Sequence, residues 1–124
     1  MKDFRDLRVW ERSHKLTLDI YRITASFPKH ELYGLTSQIR RCSASIGANI
    51  AKECGKGGNN EFQRYLQIAS GSASEMDYHS LLCRDLGFLP ELEYRILVKS
   101  LTELRKMLTS LLKKVDSERL LARC

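Results

Sequence analysis

Apolar residues recur along most of the chain at alternating steps of three and four, the spacing of helices that bury one face. Val9, Ser13, Leu16, Ile20, Ile23 and Phe27 mark a first helix, expected to start after Asp6 as N-cap and to run to about Ser26. Its flank of Trp10, His14, Thr17, Tyr21 and Thr24 is of intermediate polarity, which reads His14 as a packed or edge histidine and not a catalytic one. A second helix, from near Gly34 to about Cys54, carries Leu35, Ile39, Cys42, Ile46, Asn49 and Glu53 on one seam. A third runs to Leu86, with Phe62, Leu66, Ala69, Ala73, Met76, Ser80 and Cys83 on one line and Tyr65, Ile68, Ser72, Glu75, His79, Leu82 and Leu86 on the next. The fourth has the strongest pattern, Tyr94, Leu97, Leu101, Leu104, Leu108, Leu111 and Val115, as bundle packing at a shallow crossing angle requires.

No segment alternates with period two over a useful length. The expected fold is therefore all-α, an up-down-up-down antiparallel four-helix bundle in a single domain over residues 1–124. Residues 1–6 form an arm, and residues 118–124 form a tail that either continues the helix or frays. The breaks fit this layout: Pro28 closes the first helix, and Pro90 falls in the first turn of the fourth, where a missing N–H costs nothing. Gly55-Lys-Gly-Gly-Asn59 makes a corner, Asn60 and Gln63 suit a capping box, and Gly87 suits the left-handed residue after the third helix.

The second helix is thin, with Arg41, Ala44, Ala48, Ala51 and Gly55 beside its seam. Folding the third helix back through a short corner places Ala44 beside Gly71, with Ala69–Ser74 opposite Ser43–Ala48. Small residues at matched heights let helices approach closely, and this contact is expected to be the tightest in the bundle. The same register sets Glu75 opposite Arg40 or Arg41 in a partly buried ion pair that fixes alignment. Asn49 is expected to bond to the third helix or to a neighbouring chain.

Charge changes the picture more than composition does. Hydrophobic content of 43% with 29% charged residues is ordinary, but 21 Lys and Arg against 15 Asp and Glu give a net charge of +6. A basic surplus favours polyanionic partners, because each cation that meets a phosphate releases a condensed counterion. Arg5, Arg8, Arg12, Lys15 and Arg22 form an outward stripe on the first helix, and Arg95, Lys99, Lys106 and Lys113 form another on the fourth. First and last helices are neighbours in such a bundle, so the stripes are expected to merge into a face that tracks phosphates without reading base edges. The competing reading is a solvated polar face, since Glu11, Asp19, Glu103 and Asp116 interrupt or flank the stripes.

Other chemistry finds little support. No apolar run approaches the roughly 20 residues of a membrane span, and the charged start Met1–Asp6 has no hydrophobic signal region, so a cytoplasmic protein is expected. Cys42, Cys54, Cys83 and Cys124 contain no C-x-x-C pair and read as reduced thiols. Lys52–Asn59 lacks the order of a P-loop. Glu75, His79 and Cys83 recur every four residues, but a metal site needs ligands from facing helices and no paired motif supplies them. No nucleophile and base pair is evident, so no catalytic residue, cofactor or metal is expected, and the protein is read as a non-enzyme.

Several motifs in order carry a family resemblance. They are Asp3-Phe-Arg-Asp-Leu-x-Val-Trp10, Phe27-Pro28, Leu32-Tyr-Gly-Leu-Thr-Ser-Gln-Ile-Arg-Arg41, Ser45-Ile-x-Ala-Asn-Ile-Ala51, Glu61-Phe-x-Arg-Tyr-Leu66 and Gly71-Ser-Ala-Ser-Glu75. To about Leu112 the chain resembles the bacterial four-helix-bundle family that includes proteins encoded by intervening sequences within 23S rRNA genes. Where that family usually has Ile-Pro-x-Asn-Ile-Ala-Glu-Gly, this chain has Gly47, Lys52 and Glu53 in place of the proline, the acid and the glycine. The resemblance implies a homopentamer around a central channel. It also implies kinship with the accessory variability determinant of diversity-generating retroelements, a basic pentamer that binds a reverse transcriptase and nucleic acid. Together these point to a nucleic-acid partner, RNA in the first place, and to a reverse transcriptase or other protein as a further one. The alternative is an interaction scaffold using exposed residues such as Trp10, Tyr78 and Leu92.

Overall fold

The three-four repeat of apolar residues becomes four helices in the computed structural model, which describes residues 3–54 and 59–123. They are α1 (Arg8–Thr24), α2 (Leu35–Cys54), α3 (Asn59–Asp85) and α4 (Glu91–Arg123). Among the described residues there is no strand. Each helix packs on its neighbours in the chain and α1 also packs on α4, while among the described residues the backbones of the diagonal pairs do not approach closely. Cross-helix contacts run antiparallel throughout: Arg40 Nε donates to Thr24 Oγ1 at 2.8 Å and Thr17 Oγ1 to the Ser43 carbonyl at 3.1 Å. Between α3 and α4, Gln63 donates to Asp116, and Arg105 donates to Asp77 at 3.1 Å and to Ser74 at 3.2 Å.

The core lies where the four seams converge. Leu16 and Ile20 of α1, Ile39, Ile46 and Ile50 of α2, Leu66, Ala73 and Met76 of α3, and Leu101, Leu104 and Leu108 of α4 are all essentially inaccessible. The α4 seam is the expected one, with Tyr94 and Leu111 packed at its margins. The last helix continues without interruption to Arg123.

Helix ends differ in places from expectation. Asp6 does not cap α1; it sits in a 3₁₀ turn over Phe4–Asp6, whose cap is Asp3, accepting from the Arg5 N–H at 2.9 Å. The N-cap of α1 is Leu7, with no side-chain bond. At α2, Glu31 reaches forward to accept from the Leu35 N–H at 3.2 Å, filling one of the orphan donors of a helix start. Gly87 has φ of 80° as expected, and Phe88 N–H to Cys83 carbonyl with Gly87 N–H to Arg84 carbonyl, both 2.9 Å, complete a Schellman motif. Pro90 stands one residue before α4 and its carbonyl accepts from Tyr94. The Gly-rich corner at 55–58 and the capping side chain of Asn60 lie outside the described residues, as do the thiols of Cys54 and Cys124.

α2 and α3 form the most extensive helix contact of the bundle, in keeping with a thin helix, but not through the residues the sequence suggested. A Cβ on Gly71 would meet nothing within 4 Å, and both Gly71 and Ala44 are exposed, so that pair does not carry the approach of α2 to α3. Gly71 stands two positions from both Ala69 and Ala73, a step of about 200° around the helix, which turns it to the far side of α3 once those two face the core. The contact is made instead by Ser45 and Ser72, whose hydroxyls lie 3.0 Å apart, and by core alanines. Gly47 serves α1: its missing Cβ would stand 3.1 Å from Ser13 Oγ and 3.4 Å from Trp10 Nε1. Asn49 bonds within its own helix, to the Ser45 carbonyl at 2.7 Å, and not to α3. Arg41 pairs with Glu75 at 3.9 Å in the open rather than partly buried, while Arg40 stays with α1, its guanidinium stacked 4.7 Å from the Tyr21 ring.

These placements separate two glycines that look alike in sequence. Gly71→Ala is expected to raise unfolding stability by about 0.5–1 kcal/mol through helix propensity alone. Gly47→Ala must push Ser13 or Trp10 aside and is expected to fall below Gly71→Ala. Leu108→Ala should cost about 2–5 kcal/mol; urea unfolding of the three variants checks the order.

Candidate nucleic-acid interface

The bundle brings the two basic helices side by side. Arg12 of α1 bridges to Glu103 of α4 across the boundary, with both side chains nearly half exposed. That contact holds the Glu103 carboxyl below the usual carboxylate range, chiefly because Arg12 donates to it, helped by the nearby charges of Lys99 and Lys106.

Toward the N-terminal end of α1 the helices part around a groove of about 560 Å³. Val9, Met107 and Leu111 form its apolar wall, and Arg8, Lys106 and Lys114 line it with positive charge. A second depression, of about 510 Å³, adjoins it on α4, sharing Lys106 and Ser110 and adding Arg105 and the hydroxyls of Thr102 and Thr109. Among the described residues no ion pair engages Arg8, Lys106 or Lys114. Three cations, a hydroxyl and an apolar wall suit a phosphate attached to a flat or apolar group.

The nine residues singled out in sequence do not all meet there. Arg8 and Lys106 do. Lys15, Lys99 and Lys113 are exposed and form no ion pair among the described residues. Arg12 is taken by Glu103, Arg22 by Asp19 at 3.3 Å and Arg95 by Glu91 at 3.2 Å. Arg5 pairs with Asp3 at 3.2 Å and lies over the Phe4 ring. A third cleft, of about 140 Å³ at the other end of the α1 and α4 boundary, has Asp19 and Glu93 beside Arg22 and is mixed in sign. Among the described residues, the unpaired cations therefore line a groove at one end of the boundary, while Lys15 and Lys99 stand exposed between the two ends. Lys114, which lines the groove, is not among the nine; Lys113, seven residues past Lys106, has the better helical repeat but does not line it.

The residues considered for a protein partner also divide. Trp10 is half-buried, edge-on to Phe4, stacked on His14 and against Gly47. Tyr78 and Leu92 remain exposed, at 60% and 71%. Among the described residues no helix is long and apolar enough to cross a membrane.

Comparison with known proteins agrees with the fold. Residues 5–110 match the family model described as 23S rRNA-intervening sequence protein. The chain is similar to a crystal structure from Bacteroides thetaiotaomicron, titled a protein with unknown function from the S23 ribosomal protein family. The TM-score is 0.78 at 25% identity, over 85% of this chain and 95% of that one. Among proteins of curated function none matches.

The bridge across the two helices makes a titration prediction. A lowered folded pKa lends stability above the ordinary carboxylate range, and that contribution disappears as pH falls through the lowered value. Carboxyl NMR should find Glu103 titrating low in the native protein and returning upward in Arg12→Ala.

Proposed function

We propose, from the premise that the chain belongs to the 23S rRNA-intervening sequence protein family, that it is a non-enzymatic, cytoplasmic nucleic-acid-binding protein whose ligand is RNA. The observation that carries this is the groove between α1 and α4, where Arg8, Lys106 and Lys114 converge without carboxylate partners among the described residues. A net charge of +6 gives the long-range attraction that brings a polyanion to that groove. The family name associates these proteins with 23S rRNA intervening sequences, and an accessory role beside an RNA-processing or reverse-transcribing partner is in keeping with it.

Assembly as a homopentamer belongs to the same proposal. Five copies of one modest cationic groove bind a long RNA by avidity, with no new contact needed in any copy. Native mass spectrometry should then show five chains per particle.

A scaffold for a protein partner is the second reading, favoured by the exposure of Tyr78, Leu92 and, at 94%, Tyr33. Salt separates the two. Binding of a fluorescent single-stranded RNA should weaken as salt rises, the logarithm of affinity falling by about 0.7 per phosphate contacted for each unit of log salt. Reversing Arg8, Lys106 and Lys114 to Glu should cost about tenfold or more. The same reversal at Arg22 and Arg95, already paired, should change affinity by no more than about twofold. RNA affinity indifferent to salt, or equal loss from both sets, would contradict the proposal.

A further inference from the structure

One cluster lies apart from the basic groove, on the seam of α2 and α3. Glu75 and His79 stand one turn apart on α3, with His79 Nε2 and Glu75 Oε2 at 3.1 Å. Cys42 faces them from α2, and one ligand atom from each of the three lies within 4.8 Å of the other two. Cys42 is 2% and His79 8% exposed, while Glu75 reaches solvent. The Nδ1 atom of His79 is buried with no hydrogen-bond partner among the described residues.

The cluster corrects the set that the sequence offered. Cys83, eight residues past Glu75, is rotated into the core and is fully buried there. The third donor comes from the facing helix instead, which is the cross-helix complement that a metal site needs. Nε2 is the ring nitrogen that faces Glu75, and the buried Nδ1 has no hydrogen-bond partner among the described residues to hold the ring in a competing role. Thiol, imidazole and carboxylate are together the ligand types taken by zinc and its neighbours, and three protein ligands leave a fourth position open.

We propose that Cys42, Glu75 and His79 form a three-ligand site for a divalent transition metal ion of the zinc class, with its fourth position toward solvent on the Glu75 side. Zinc bonds of about 2.0–2.3 Å imply ligand separations of roughly 3.3–3.7 Å, which His79 and Glu75 already reach at 3.1 Å. The adjustment left is toward Cys42, whose sulfur lies within 4.8 Å of the other two ligand atoms, and the exposed Glu75 can follow it. Its pair with Arg41 is exposed and long, and such pairs hold weakly, so Arg41 swings out to release the carboxylate.

The metal-free thiol is protonated and inert. Burial, seconded by the charge of Glu75, pushes Cys42 up to about 12. Binding thus exchanges the thiol proton for the metal ion, forming the S–metal bond and releasing one proton to solvent, and affinity rises with pH.

The site is independent of RNA binding and is tested without RNA. Cobalt(II), an optical stand-in for zinc, is titrated into the chain carrying Cys54→Ser and Cys124→Ser, which leaves Cys42 and Cys83 as its thiols. One equivalent per chain should give a thiolate-to-cobalt charge-transfer band in the near ultraviolet and the strong visible bands of four-coordination, both displaced by zinc. Cys42→Ser should abolish the charge-transfer band, and Cys83→Ser should keep it. Glu75→Gln, at an exposed position that folds readily, should weaken cobalt binding by about tenfold or more. Absence of the band, its survival in Cys42→Ser with native circular dichroism, or unchanged affinity in Glu75→Gln overturns the proposal.

Discussion

Burial of the α4 leucine seam is the constraint on which the rest depends. Leu97, Leu101, Leu104 and Leu108 are nearly or fully inaccessible, and they reach that state only when α1 and α3 flank α4. Apolar burial of this kind contributes about 1.5–3 kcal/mol per large side chain, whereas the Arg12–Glu103 bridge is exposed and screened by solvent, so it contributes far less. The bridge sets the register of two helices that the hydrophobic seam has already brought together. The groove is a by-product of that closure: α1 begins at Arg8 just where α4 still runs on past Lys106 toward Lys114.

Charge on the surface is thus shaped by local partners as much as by helical spacing. Arg22 and Arg95 have acids one turn away on their own helices, a pairing visible in the sequence as i, i+3 and i, i+4 neighbours. Arg8 and Lys106 also have an acid three residues away, Glu11 and Glu103, but Glu103 turns across the boundary to Arg12 and neither cation forms an ion pair among the described residues. The unneutralised surface is a product of topology, which redirects an acid to the neighbouring helix, as much as of local spacing.

Periodicity exposed the four helices, the α4 seam and the Gly87 stop because each rests on local spacing or on one residue's backbone freedom. It gave the core faces of α2 and α3 as well, for Ile39, Cys42 and Ile46 and Ala69, Ala73, Met76 and Cys83 are all buried. What it misplaced was the small residues beside those seams: Ala44 and Gly71 read as a close-packed pair because both are small, yet both are exposed. Nor did it bring Cys42 to Glu75 and His79, a contact between residues more than thirty positions apart that no single-helix spacing reveals. Gly47 is the reverse case, a small residue whose reason lies across the α1 boundary at Ser13 and Trp10.

The claim that α1 and α4 together make the RNA surface is tested most directly by placing a photoreactive side chain on each end of their boundary. Ser110 lies in the cationic groove and Ile96 in the mixed cleft at the far end. On irradiation with bound RNA, the account expects crosslinks from position 110 and few from position 96. Crosslinks as frequent from position 96, or none from position 110, would contradict it.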